Sequence, residues 1–193
     1  MLTRLPKFCL RACLACLAVA LLAPAGASAN PTGGAQYVPP PPPAKRAKIV
    51  NGLAIPPRGA PRRVKAAIKA ANRIVGKPYV YGGGHKAYTG RHAMASALDR
   101  GYDCSGTVSF ALYGGRFLRS PLDSGSFMRW GRPGKGRWIT VYTNPGHAYV
   151  VIGGLRLDTS VGSSREPDTG RGPRWRKYNR SPRGFTARYP AGY

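Results

Sequence analysis

Apolar residues recur along this chain in two rhythms, and the change between them near residue 136 divides the sequence. Val64, Ala67, Ile68, Ala71 and Val75 recur at i, i+3, i+4, i+7 and i+11, one face of a helix opening near Pro61 and closed by Gly76 and Pro78. A short aromatic extended piece, Tyr79-Val80-Tyr81, runs into Gly82-Gly83-Gly84, and residues 85–101 read as a polar loop with a short helical piece over 93–98. A second helix opens at Cys104: Val108, Ala111 and Leu112 continue its face, and Gly114-Gly115 end it. Beyond residue 136 β-branched and aromatic residues take over. Residues 138–142 predict a strand, Asn144-Pro145-Gly146 a turn, 147–152 a second strand, and Gly153-Gly154 a tight turn into 155–158, with a last strand over 185–189. Helices followed by an antiparallel meander define an α+β domain in which one helix packs on a small antiparallel sheet.

The ends alter the cysteine count. Arg4, Lys7 and Arg11 precede the apolar run 14–22, and Ala27-Ser28-Ala29 follows it, which reads as a secretory signal peptide over 1–29. Residues 30–59, with the proline run 39–43 and Lys45, Arg46 and Lys48, read as a Pro-rich basic linker in extended polyproline form. The domain is expected over 60–193. Cys9, Cys13 and Cys16 lie in the leader, so the mature chain keeps Cys104 alone. An odd cysteine outside the cell is an intermolecular bridge or a reactive thiol.

Charge narrows the partners. The full chain carries 31 Lys and Arg against six acids, a formal net charge of +25. Three of the basic residues and none of the acids fall in the leader, leaving about +22 on the mature protein. Such a field attracts polyanions, and for an exported chain these are anionic cell-wall polymers rather than nucleic acid. One cysteine and three scattered histidines do not make a zinc site, and residues 131–136 only superficially resemble a phosphate loop, so neither metal nor cofactor is expected. Trp130, Trp138 and Trp175 lie among cations, where core packing is the expected use of at least two.

The candidate chemistry centres on Cys104. If Asp103 caps the second helix, the thiol sits in its first turn, where the helix dipole favours negative charge. The Cys104 amide with that of Ser105 or Gly106 could receive an oxyanion, and Gly106 leaves room for a substrate backbone. A nucleophilic cysteine needs a base. His147, opening an apolar strand after a Pro-Gly turn, has a rigid mount, whereas His85 and His92 read as loop residues or substrate contacts. Asp158, on the neighbouring strand of the hairpin, comes back opposite or close to His147 and could orient it.

Three motifs in this order resemble the NlpC-type peptidoglycan endopeptidases: Pro78-Tyr79-Val80-Tyr81-Gly82-Gly83, then Tyr102-Asp103-Cys104-Ser105-Gly106, then Gly146-His147 before an apolar strand. The resemblance spans about residues 60–190. It implies a papain-like core with Cys104 as nucleophile, His147 as base, a polar third residue on the following strand, and Tyr79 beside the thiol as a substrate or oxyanion contact. It further implies a secreted, wall-associated, monomeric enzyme cleaving amides of peptidoglycan stem peptides, typically between D-glutamate and a diamino acid. The chain departs from the family's pattern by a longer stretch between Gly83 and Cys104, holding His85 and His92, and by Asp158 where His is common. A wall-binding protein without catalysis, or another Cys–His acyl transferase or amidase, are the alternative readings.

Overall fold

The computed structural model describes residues 46–89, 93–160 and 171–193. Residues 1–29, expected to be a signal peptide, the proline run and His92 lie outside them. Among the described residues, twelve elements follow in order: β1 (Lys48–Val50), β2 (Leu53–Ile55), α1 (Arg62–Asn72), α2 (Ala93–Ser96), α3 (Cys104–Gly114), α4 (Ser124–Phe127), β3 (Arg132–Pro133), β4 (Ile139–Asn144), β5 (His147–Ile152), β6 (Leu155–Asp158), β7 (Arg174–Lys177) and β8 (Thr186–Tyr189). The last six form an antiparallel sheet in the order β3-β8-β4-β5-β6-β7. The molecule is an α+β fold with helices packed on this sheet.

Alternation along the strands gives the sheet two different faces. Ile139, Val141, Ala148, Val150, Ile152 and Leu157 share one core with Val64 and Ile68 of α1 and Val108 and Leu112 of α3. The intervening positions Tyr142, His147, Tyr149 and Asp158 belong to the other face. Helix α3 is buried along most of its length, from Ser105 to Leu112, so it lacks the polar stripe of a surface helix. A Cβ at Gly114 would run into the Ala70 methyl of α1, so the two helices cross where glycine allows close approach. Trp138 and Trp175 are core residues, and the Trp175 indole N–H donates to Asn72 Oδ1 at 2.7 Å.

Part of the stretch expected to be linker is folded. Residues 48–55 form a hairpin whose turn, Asn51-Gly52, holds both residues at positive φ (48° and 78°), the geometry that suits the twist of a two-residue β-turn. With Ala47 just before it, its apolar contribution to the core is two methyl groups, Ala47 and Ala54, while Ile49, Val50, Leu53 and Ile55 face outward. The Asn72 side chain binds the Ala54 backbone twice, accepting from its N–H at 3.1 Å and donating to its carbonyl at 3.0 Å. So small a buried face leaves no periodic signal in the sequence. Strand β7 also escapes the pattern, because Arg174-Trp175-Arg176-Lys177 is cationic, as suits a sheet edge.

Candidate active site

Helix α3 starts where its cap dictates. Asp103 is extended (φ −86°, ψ −174°), and its Oδ1 accepts from Gly106 N at 2.7 Å. Cys104 is therefore the first helical residue, a free and partly exposed thiol. The segment 78–83 lies along the approach to the helix. Tyr102 N donates to Pro78 O at 3.0 Å, Val80 N to Tyr102 O at 3.3 Å, Asp103 N to Gly83 O at 3.1 Å, and Gly82 N to Asp103 Oδ2 at 3.0 Å. Tyr79, half-buried, thus sits between two residues tied to Tyr102, beside the cap of α3.

Gly106 has a different use from the one its position suggests. A Cβ there would meet the Gly83 carbonyl oxygen and the Gly84 Cα, so the space belongs to this chain's own glycine loop and not to a substrate backbone. Its N–H is also committed to Asp103, which leaves the Cys104 and Ser105 amides as the donors of that first turn. Gly106→Ala is expected to cost about 1–3 kcal/mol by forcing the loop away from the helix. Urea unfolding measures it, and an unchanged midpoint would show that the loop yields freely.

His147 is mounted by the turn that precedes it. Asn144 Oδ1 accepts from Gly146 N at 3.0 Å and from His147 N at 2.8 Å. The short helix α4, absent from the sequence reading, pins the same turn: Ser124 Oγ donates to Pro145 O at 2.9 Å, and Thr143 Oγ1 donates to Ser124 O at 2.5 Å. The ring is buried. Its Nε2 lies 3.0 Å from Asp158 Oδ1, and the Cys104 side chain is a second hydrogen-bond partner of the ring. Burial alone would lower the His147 pKa, but the Asp158 carboxylate and the Cys104 side chain outweigh it and raise it to about 9.

Register brings Asp158 to the histidine. Val150 pairs with Leu157 and Ile152 with Leu155, so Asp158 continues across from Tyr149, diagonal to His147 on the same face. It is buried and heavily subscribed. Oδ1 accepts from His147 and from Ser160 N at 3.0 Å; Oδ2 accepts from Ser160 Oγ at 2.7 Å and from Arg180 Nη1 at 3.0 Å. The buried Arg156 Nε lies 3.4 Å from Oδ2. Burial would raise the carboxyl pKa, yet His147 and the Ser160 donors hold it below the ordinary carboxylate value. Arg180 also lies over the Tyr149 and Phe185 rings, 5.2 Å from each centroid.

The structure therefore brings Cys104, His147 and Asp158 into one hydrogen-bonded line, with Ser105 next to the cysteine in α3 and Tyr79 beside the α3 cap. It also joins to this place a residue that the sequence leaves in a loop. His85 Nε2 lies 3.1 Å from Asp103 Oδ1 and 3.2 Å from Ser105 Oγ, so it is ordered by the cap of α3. Only its glycine-flanked position spoke in the sequence, and that argued for mobility.

No family model and no curated protein matches the chain. Among solved structures, it is similar to the P60 domain of an antigen from M. avium subspecies paratuberculosis, at 21% identity over 66% of this chain and 94% of that one, with a TM-score of 0.44. It is also similar to the peptidoglycan hydrolase RipB from Mycobacterium tuberculosis (21% identity, 69% of this chain, 70% of that one, TM-score 0.47). A third is the resuscitation promoting factor interacting protein RipA (23%, 76%, 70%, TM-score 0.44).

Proposed function

We propose that this protein is an exported cysteine hydrolase that cleaves amide bonds in the peptide stems of peptidoglycan. The observation that carries the proposal is the line from Cys104 at a helix start through His147 to the buried Asp158. The Cys104 sulfur attacks the amide carbonyl carbon, and the carbonyl oxygen gains negative charge beside the Cys104 and Ser105 amides, with the Tyr79 hydroxyl as a further contact. The C–N bond then breaks as His147 delivers its proton to the leaving amine. A water attacks the resulting thioester, His147 takes that water's proton, and the C–S bond breaks to release the carboxylic acid and restore the pair. Asp158 holds His147 in the tautomer with its proton on Nε2 and stabilises the imidazolium. The substrate class follows from the motif resemblance, and the cationic mature chain would concentrate on anionic wall polymer.

Mass spectrometry of products from defined muropeptides tests the reading and gives the scissile bond. New termini at one stem amide are expected; intact muropeptides after prolonged incubation with the mature chain would sink it.

A pH dependence follows from the His147 environment. The folded protein holds the His147 proton up to about pH 9, whereas the ordinary value is 6.5. Loss of the general acid should make kcat/KM fall as pH rises through about 9. By the same sign, protonation favours the fold: that stabilisation is complete below about 6.5 and is lost as pH rises through about 9. A pH–rate profile checks the first point, and thermal melts from about pH 6 to 10 check the second.

A further inference from the structure

Two histidine–aspartate pairs flank Cys104. His147–Asp158 is built on the sheet; the other, His85–Asp103, joins the glycine loop to the α3 cap. Its partners settle the geometry of the second ring. Asp103 Oδ1 accepts from Gly106 N at 2.7 Å and from Ser105 Oγ at 3.2 Å, so it is an acceptor, and His85 Nε2 at 3.1 Å must carry the proton and donate it. Asp103 Oδ2 takes Gly82 N. The carboxylate thus has its acceptor sites filled from within the chain, while His85 keeps 27% of its side-chain exposure and its Nδ1 has no hydrogen-bond partner among the described residues. The group that a ligand can reach on this side of the thiol is the imidazole and not the carboxylate.

We propose that His85 is a specificity-determining residue of this site, whose Nδ1–H, when protonated, receives a carboxylate presented next to Cys104. That this carboxylate belongs to a substrate rests on the cysteine-hydrolase reading; the recognition itself applies to any carboxylate carried to the thiol. The acids facing His85 are Asp103 at the α3 cap and Asp123 at the α4 cap; against the effect of burial they raise its pKa above the ordinary 6.5. Lys86, the next residue, is turned to Asp99 at 3.0 Å and away from the imidazole's partner Asp103. Stem peptides carry free carboxylates, so the stretch that lengthens the path from Gly83 to Cys104 supplies a contact suited to them.

The test uses alkylation of Cys104 in the full chain, followed by peptide mass mapping to separate it from the other cysteines. Iodoacetate and iodoacetamide react at the same atom and differ in charge, and neither requires wall hydrolysis, so failure of the hydrolase reading leaves this test intact. The iodoacetate-to-iodoacetamide rate ratio at about pH 6 is expected to fall about fivefold in His85→Gln, the scale of one partly screened charge contact. In the wild type the ratio should also fall as pH rises through the His85 pKa, which lies above the ordinary 6.5, before His147 loses its own proton near 9. A ratio that is equal in the two proteins, or flat with pH in the wild type, overturns the proposal. Equal slowing of both reagents in His85→Gln overturns it too, because His85 would then be a brace for the α3 cap. If the variant does not fold, the wild-type pH series decides alone.

Discussion

Cys104→Ala is expected to lower cleavage of stem peptides by about four orders of magnitude or more, with the fold intact. The thiol is partly exposed at the first residue of α3, and the cap that starts the helix is made by Asp103, not by the cysteine. Removing the sulfur therefore removes the attacking atom and little of the packing. His147→Ala should cost about as much, and the double variant scarcely more than either alone, because attack and proton delivery belong to one event. Release of soluble peptide fragments from purified wall measures all three. Additive losses, or substantial cleavage by Cys104→Ala, would require another nucleophile.

Asp158→Asn carries the second large effect, and here activity and stability fall together. The carboxylate faces His147, Arg180 and the buried Arg156, whose Nε and Nη1 have no hydrogen-bond partner among the described residues. An asparagine leaves that arginine charge uncompensated in the interior, at about 3–5 kcal/mol. Urea unfolding at pH 7 should show a loss of this size. Since the folded Asp158 is held below its ordinary pKa, its stabilisation is present above about pH 4 and disappears as pH falls through the folded value. The variant should lack this acid limb. Adding Arg156→Met to Asp158→Asn removes the stranded charge and should recover stability without recovering catalysis. If Asp158→Asn is as stable as the wild type, the acid serves only to orient His147.

Legibility in the sequence followed burial. Helix α1 was readable because Val64, Ala67, Ile68 and Ala71 all enter the core on one face. Strand β5 was readable because apolar residues run nearly unbroken between the Pro145-Gly146 and Gly153-Gly154 turns, and β6 because it follows the second of these turns. The hairpin β1–β2 was not, since it contributes little more than Ala47 and Ala54 to the core and is held by Asn72, 18 residues from Ala54. Helix α4 was not, being four residues held by an Asp123 cap and by bonds to the 143–145 turn.

Composition and local spacing alone determined the α+β class, a cysteine at a capped helix start, and a histidine opening a buried strand. Each of these depends on neighbours within a few residues, where capping, turn chemistry and periodicity act. Which groups share a charge was decided only in three dimensions. Diagonal register across β5 and β6 joined Asp158 to His147, and the return of the chain at residue 180 added a guanidinium to that carboxylate. Gly106 was matched to the Gly83 carbonyl, and His85 to Asp103, by a loop folding onto a helix 20 residues away. Such contacts leave no periodic trace, because they are made by single side chains between segments whose separation only packing brings to zero.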